Sequence, residues 1–258
     1  MLADFTIKVY TQLLQTLLSQ GFLFSTFSEF IRNTVEKCIV LRHDVDLLPK
    51  SSLKTAQIEN QLNVKASYYF RMVPESFNPS IIKQIADLGH EIGYHYEDLT
   101  MTKGNIDEAY SSFCRNLDKI RQLYPVETIS MHGSPMSKFD SRDIWQKYDY
   151  KEQGLIGEPY FDIDFSKVLY LTDTGRRWDG DKVSVRDKAY AAINNQIKLE
   201  NVKTTFDLIK MAEKGRLPNR MMFNTHPQRW TDNAFLWTKE LVMQNIKNVV
   251  KRYIFVKA

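Results

Sequence analysis

The stretch Cys38 to Asp46, CIVLRHDVD, decides how the chain is read. Apolar or soft residues, Cys38 to Leu41, run straight into Arg42, His43, Asp44 and Asp46. Such a run makes a poor solvated surface. It suits a buried strand with charges at its C-terminal end, where α/β folds put their chemistry. Side chains two apart on an extended segment point to the same side, so Asp44 and Asp46 form a pair. One carboxylate of such a pair can hold a divalent metal while the other acts as a base. The competing reading is a charged turn after a strand.

The rest of the chain supports an ordered α/β domain. Its 258 residues are 43% hydrophobic and 12% aromatic, enough for a sizeable core. The formal charge is only +4, and no Lys/Arg run has the density of a nucleic-acid groove or a polybasic membrane patch. Nucleic acid is therefore not an expected partner. Cys38 and Cys114 fall in a predicted strand and a predicted helix and read as buried thiols. Asp4 and Lys8 interrupt the first turns, so no secretory signal is read there, and the longest apolar run, Ala189 to Ile193, is too short to span a membrane. The expectation is a cytoplasmic protein with no transmembrane segment.

Periodicity gives alternating elements. Phe5, Val9, Leu13, Leu14 and Leu17 mark a helix over residues 3–20, followed by an aromatic connector, 22–30. After the 38–44 strand, Pro49 opens a helix to about residue 60, and 66–72 is rich in β-formers. Asn78-Pro79 caps a helix that Gly89 ends, a short strand leads to His95, and 105–124 is strongly helical. Strands at 128–131 and 220–224 and helices at 204–213 and 232–250 complete the pattern, which argues for a mainly parallel sheet or barrel. Residues 133–190 lack clean periodicity and read as long ordered loops over one face.

The five histidines are His43, His90, His95, His132 and His226, and all but His90 fall at the end of a predicted strand. In a barrel those ends meet at one mouth. Imidazoles with carboxylates there suit a zinc-like or cobalt-like ion, whose catalytic form has three protein ligands and an open position.

Asp44-Val45-Asp46 followed by GHEIGYH at 89–95 resembles the polysaccharide deacetylase superfamily, carbohydrate esterase family four and its relatives. The likeness is to a divergent branch that opens on Arg-His-Asp-Val-Asp, and MHGSPMSKFDSRD, LIGEPYFDIDF, LTDTGRRWDG and NTHPQRWTDN look like that branch as well. It runs from about residue 38 to 240. The resemblance implies a single-domain α/β fold, a distorted (β/α) barrel over 38–258 with the helix and connector of 1–37 packed on it. It implies a metal-dependent deacetylase in which Asp44 is the general base, Asp46 a metal ligand and His226 the catalytic acid. His95 matches the first of two ligand histidines four residues apart. The second position is Leu99, which cannot bind a metal. Replacements are His132, Glu97, Asp98 or His43; His132 is favoured, because His132-Gly133-Ser134-Pro135 stands where the superfamily has its third motif.

The metal expected is zinc, with cobalt or nickel as alternatives. The substrate expected is an acetylated sugar, nucleotide-sugar or polysaccharide precursor, N-deacetylated during surface-polysaccharide synthesis. A non-catalytic glycan- or protein-binding relative, and a hydrolase of another small C–N bond, are the competing functions. Arg42 shares the strand parity of Asp44 and either holds it ionised or pairs with Glu91 or a loop acid. Arg42, Arg177, Trp178 and Trp230 form the expected substrate-binding set. Trp145 and Tyr160 are further aromatic candidates for sugar faces, with loop-core packing as the alternative for all four rings. Arg176-Arg177 suits a carboxylate or phosphate, oriented by Asp173 and Asp179, or is a solvated pair.

Overall fold

The computed structural model describes residues 3–33, 35–133, 137–178, 199 and 202–254, with side chains through 247. Ser134, Pro135 and Asp179 lie outside the described residues. The strand the sequence singled out is β2 (Cys38–Val45), buried along its whole length. β1 (Leu23–Ser25) pairs with its first half and β3 (Ser67–Phe70) with its second. β4 (Glu91–Tyr96) and β5 (Ile129–Met131) extend the sheet beyond β3. On the other side of β2, β7 (Arg220–Thr225) pairs with Cys38 to His43, and β6 (Leu169–Thr172) pairs with β7. The order is β5-β4-β3-β2-β7-β6 with β1 beside β2, and every pairing is parallel. The sheet curls into a half-barrel with flanking helices.

The helices are α1 (Ile7–Ser19), α2 (Phe27–Arg32), α3 (Pro49–Gln61), α4 (Pro79–Asp87), α5 (Asp98–Met101), α6 (Ile106–Arg121), α7 (Pro159–Asp162), α8 (Thr205–Glu213) and α9 (Ala234–Ile254). Their starts are chemically marked. Thr6, Asn78 and Asn105 accept from backbone N–H groups of the first turns of α1, α4 and α6, and Thr26 and Thr204 form capping boxes on α2 and α8. None of the described helices is long and apolar enough to cross a membrane.

Strand alternation sorts β2 into two rows. Ile39, Leu41 and Val45 join the main core with Tyr68, Phe70, Ile92 and Phe223. Cys38 and Val40 face the inside of the half-barrel with Tyr69, Tyr170 and Met222, where α2 adds Phe27 and Phe30. The inner row is tight at β4: a Cβ on Gly93 would meet the Tyr69 ring at 2.3 Å, so only glycine lets that ring lie flat on the strand. Arg42 and Asp44 continue the inner row. His43 belongs to the outer row.

The outer row carries a buried polar network. His43 stacks on Tyr68 with ring centroids 4.3 Å apart; its Nε2 lies 2.7 Å from Glu59 Oε1, and its Nδ1 lies 2.6 Å from Thr225 Oγ1. The hydroxyls of Tyr10 and Tyr68 donate to the same carboxylate. Burial pushes the Glu59 carboxyl up, but His43 outweighs it and holds the group below its usual range. One carboxylate thus ties α1, α3, β2 and β3 together.

The connector after α1 holds more structure than its sequence shows: β1 and α2 lie within it. The 133–190 region contains β6, α7 and 3₁₀ turns at Ser141–Gln146 and Tyr150–Gln153. These pieces are three to six residues long, too short to repeat a period.

Glu59→Leu strands two tyrosine hydroxyls and His43 without their acceptor. It is expected to lower the unfolding free energy by about 3–5 kcal/mol, seen as a lower urea midpoint at unchanged slope. A loss below about 1 kcal/mol would show that the network contributes no more than an ordinary surface contact.

Candidate metal centre

The C-terminal rim of the sheet gathers the chemistry. Asp44, on the inner row of β2, takes a bidentate pair from Arg42: Nε to Oδ1 and Nη2 to Oδ2, both 2.8 Å. Asn224 of β7 donates to Oδ2 at 3.0 Å through Nδ2, which also reaches the Tyr170 hydroxyl. Burial alone would raise the Asp44 carboxyl; the Arg42 guanidinium, with His95 and His226, outweighs it and holds the group at about 2.

Asp46 follows β2 by one residue and turns its two oxygens to different neighbours. Oδ1 lies 3.3 Å from His132 Nε2 and 3.7 Å from His95 Nε2. Oδ2 lies 3.5 Å from Gln228 Nε2 and 3.8 Å from His226 Nε2. Against the pull of burial, His132, His226 and His95 hold the Asp46 carboxyl well below its usual range. Oδ1 is buried yet accepts no hydrogen bond.

Both histidines beside that oxygen are fixed from behind. His95 Nδ1 is 2.9 Å from the Ser130 carbonyl, to which it can only donate. His132 Nδ1 is 3.0 Å from Glu97 Oε2. With Nδ1–H so engaged, each Nε2 is left as the donor atom facing Asp46, the arrangement that metal-binding histidines use. One ligand atom from each of Asp46, His95 and His132 can lie within 4.8 Å of the others. Two imidazole nitrogens and one carboxylate oxygen, itself an orphaned buried acceptor, fit a divalent cation with an open position.

On the far side of the centre stands His226, directly after β7. Its Nδ1 is 2.6 Å from Asp173 Oδ1, and its backbone N–H donates to Oδ2 at 2.9 Å. Asp173 follows β6, is fully buried, and also accepts from Arg229 Nη1 at 2.6 Å and Trp230 Nε1 at 2.9 Å. Burial raises its carboxyl, but Arg229 and His226 bring it below the usual range.

Asp44, Asp46, His95, His132 and His226 are therefore brought together, while several other expectations are corrected. His43 faces the helices, not the mouth, because it is out of phase with Arg42 and Asp44. Asp98 is occupied by Tyr94, Ser112 and Asn116, and Leu99 packs with Ala109 and Ile144. Arg42 is 1% exposed and committed to Asp44, so it braces the carboxylate and is not a substrate contact. Trp178 and Trp230 are each 2% exposed and pack near one another in the core; the indole N–H groups go to Thr205 and Asp173. Their faces are not offered to a sugar. Trp145 donates to the Tyr96 hydroxyl, and Tyr160 lies under Arg142 at 4.4 Å. Arg176 sits over the rings of Phe5 and Trp237, and Arg177 is half-buried in the turn after β6. The Asp173 carboxylate serves His226, Arg229 and Trp230, not Arg176. Arg71, Asn224, Gln228 and Arg229 were not singled out from sequence. Position is the signal available for two of them, since Arg71 directly follows β3 and Asn224 lies next to the end of β7; Gln228 and Arg229 lie in the 3₁₀ turn after His226.

No family model and no curated protein matches the sequence. The chain is similar to solved structures of the CE4 carbohydrate esterase family. A CE4 family pseudoenzyme from Bacillus anthracis is 15% identical, with a TM-score of 0.45 over 85% of this chain; the chain spans 63% of that protein's length. A CE4 esterase from Streptococcus mutans is 15% identical, with a TM-score of 0.46 over 92% of this chain and 91% of that one. A family 4 carbohydrate esterase from Streptomyces lividans, solved with acetate, is 16% identical, with a TM-score of 0.43 over 84% of this chain and 89% of that one.

After zinc loading and desalting, elemental analysis is expected to find about one equivalent in the wild type and in His43→Gln. Asp46→Asn, His95→Ala and His132→Ala should each lose it. Unchanged metal in His132→Ala would remove the third ligand.

A second expectation concerns Glu158, the cap of α7, which accepts from the N–H groups of Met131 and Tyr160. Burial pushes its carboxyl from 4.5 up to about 7 despite those bonds and the nearby Arg42. A raised folded-state value gives stability that is fully present below the unfolded value and lost as pH rises through about 7. Glu158→Gln should flatten that fall, a difference of about 3 kcal/mol between low and neutral pH in urea unfolding. Parallel pH curves for the two proteins would refute it.

Proposed function

We propose that this protein is a metal-dependent hydrolase that removes the acetyl group from an N-acetylated carbohydrate. The observation that carries the reading is the division of labour among the carboxylates at one rim. Asp46 turns an unpartnered oxygen to two back-anchored histidines, while Asp44, two residues away, is held ionised by its own arginine. A ligand set and a separate base are what amide hydrolysis by an activated water requires.

The metal is to be held by Asp46, His95 and His132, with zinc favoured by the donor set and cobalt or nickel as alternatives. When bound, a divalent cation supplies Lewis acidity: it acidifies water towards about 7 and polarises a carbonyl oxygen. Asp44 then accepts the proton of the attacking water. Its depressed pKa keeps it ionised and available, and its bidentate bond to Arg42 fixes where it accepts. His226 faces the centre through Nε2, with Nδ1 tied to Asp173, so that Nε2 can deliver a proton to the departing sugar nitrogen. Asp173 fixes the tautomer and stabilises the protonated ring, and Arg229 balances the charge of Asp173 in turn. Base and acid thus approach from β2 and β7, on either side of Asp46.

The carbohydrate substrate, an acetylated sugar, nucleotide-sugar or polysaccharide precursor of surface-polysaccharide synthesis, is supported by the sequence resemblance over residues 38–240. The non-catalytic alternative draws on Leu99 in a ligand position; what supports the catalytic reading against it is His132 Nε2, 3.3 Å from Asp46 Oδ1 and placed just past β5.

The test is acetate release from N-acetylated hexosamine oligosaccharides by zinc-loaded protein. Asp44→Asn should abolish release with metal content intact; loss of metal instead would make Asp44 a ligand. His226→Ala and Asp173→Asn should each lower kcat by about 10²–10⁴ with metal retained. Near-normal rates in both would remove the acid role. Metal-loaded wild type that binds such oligosaccharides without releasing acetate would favour the binding-protein reading.

A further inference from the structure

The rim carries a second pattern that the proposed chemistry does not use. β2, β3, β4 and β5 are consecutive neighbours in the sheet. The residue directly after each of them is, in order, Asp46, Arg71, Glu97 and His132. These residues form a closed ring. Arg71 Nη1 reaches the backbone carbonyl of Asp46 at 3.3 Å. Its Nε and Nη2 both reach Glu97 Oε1, at 2.7 and 2.6 Å. Glu97 Oε2 takes His132 Nδ1 at 3.0 Å, and His132 Nε2 returns to Asp46 Oδ1 at 3.3 Å. Acidic and basic side chains alternate around the ring on successive strands.

We propose that Arg71 and Glu97 are positioning residues that hold Asp46 and His132 in metal-binding register across two intervening strands. The proposal rests on the metal site assigned above. Neither residue offers an atom to the metal itself: both oxygens of Glu97 are engaged, one by each ring neighbour, and Arg71 is a cation. Their work is geometric. Asp46 and His132 each lie one residue past the end of a strand; the His132 N–H still donates to the Tyr96 carbonyl at 2.8 Å, so what is left to set is the direction of its ring and, at Asp46, the backbone carbonyl and the side chain it carries. Arg71 restrains the first of them through its carbonyl. It is itself restrained, since its N–H donates to Ser76 Oγ and that hydroxyl donates to the carbonyl of Val45, the residue before Asp46. Glu97 restrains the second by fixing the tautomer and the rotation of the ring, so that Nε2 points at Asp46. The guanidinium fork holds Glu97 in the orientation that its other oxygen needs. Removing either member frees the other, so the pair acts as one unit.

An ordinary rim salt bridge would add a little stability and leave metal affinity alone. The test therefore measures zinc affinity by competition with a chelator, with thermal unfolding of the metal-free proteins alongside. Glu97→Ala and Arg71→Met are each expected to weaken zinc binding by about 10- to 100-fold. Glu97→Gln, which keeps an acceptor for His132 Nδ1, should recover part of that loss. The double variant Arg71→Met/Glu97→Ala should be no weaker than the worse single variant by more than about three-fold, because the two losses are one event. Altered visible absorption of the cobalt-loaded single variants would report the displaced ligand directly. Wild-type protein that binds zinc while both single variants bind within about two-fold of it overturns the clamp alone. Losses that multiply in the double variant also overturn it. Wild type that takes up no zinc, cobalt or nickel overturns the metal site and the clamp with it.

Discussion

Everything at the rim depends on the two-residue repeat of one buried strand. β2 carries charge on both of its faces, and neither face is wet. Arg42 and Asp44 point into the half-barrel, where they become a braced carboxylate. His43, between them, points outward to Glu59 and pins α3 and β7 to the strand. Extended geometry separates these functions without a loop or an insertion. A one-residue slip of β2 would exchange the two rows, sending Asp44 into the helix layer and His43 to the mouth. The two polar networks therefore specify the register from opposite sides.

Among the acids that surround the metal centre, three are buried with a cation of their own. Asp44 has Arg42, Glu97 has Arg71, and Asp173 has Arg229 with His226. Each pair is bidentate or backed by further hydrogen bonds, the condition under which a desolvated ion pair is not a liability. Asp46 is the exception. Its carboxylate has no arginine or lysine partner among the described residues, only three imidazoles at 3.3–3.8 Å and the Gln228 amide at 3.5 Å, and its inward oxygen accepts no hydrogen bond. A divalent cation would give that oxygen the partner that the other acids obtain from arginine. The charge distribution thus singles out Asp46 on physical grounds, independently of any likeness to other proteins.

The sequence was most legible where a local signal and a long-range demand agreed. The apolar run ending in charge identified β2, and Asn78-Pro79 and Asn105 located helix starts that the structure keeps. Asp46, His95, His132 and His226 were readable because strand ends in a parallel sheet share one edge. What failed was anything needing a side-chain direction or a partner far away in sequence. His43 was grouped with the mouth histidines by position, although its parity places it on the other face. Trp178 and Trp230 suit either a sugar face or loop-core packing by sequence, and the structure puts both in the core, which claims large rings wherever it can reach them. β1, α2 and β6 are too short to carry a period, so Asp173, at the end of β6, was read as an orienter of arginines and not as the partner of His226.

Leu99 shows how the remaining pieces depend on one another. In the resembling superfamily a histidine four residues after the first ligand comes from the same segment, so one backbone path sets both. Here that position packs into an apolar cluster with Ala109 and Ile144, and the third donor proposed above, His132, directly follows β5. β5 is three residues long and pairs with β4 in the ladder, its other edge held by the Gly157 carbonyl and the Glu158 carboxylate. His95 lies within β4, one residue before its end, in register with Ser130 of β5, and needs only that residue's carbonyl behind its ring. His132, one residue past a short edge strand, has its N–H held by the Tyr96 carbonyl, but nothing in the ladder sets its ring. A ligand in that place needs an anchor that reaches back to the interior strands. The path from His132 through Glu97 and Arg71 to the backbone of Asp46 is such an anchor, and it spans the same four strands over which the ligand set itself is spread.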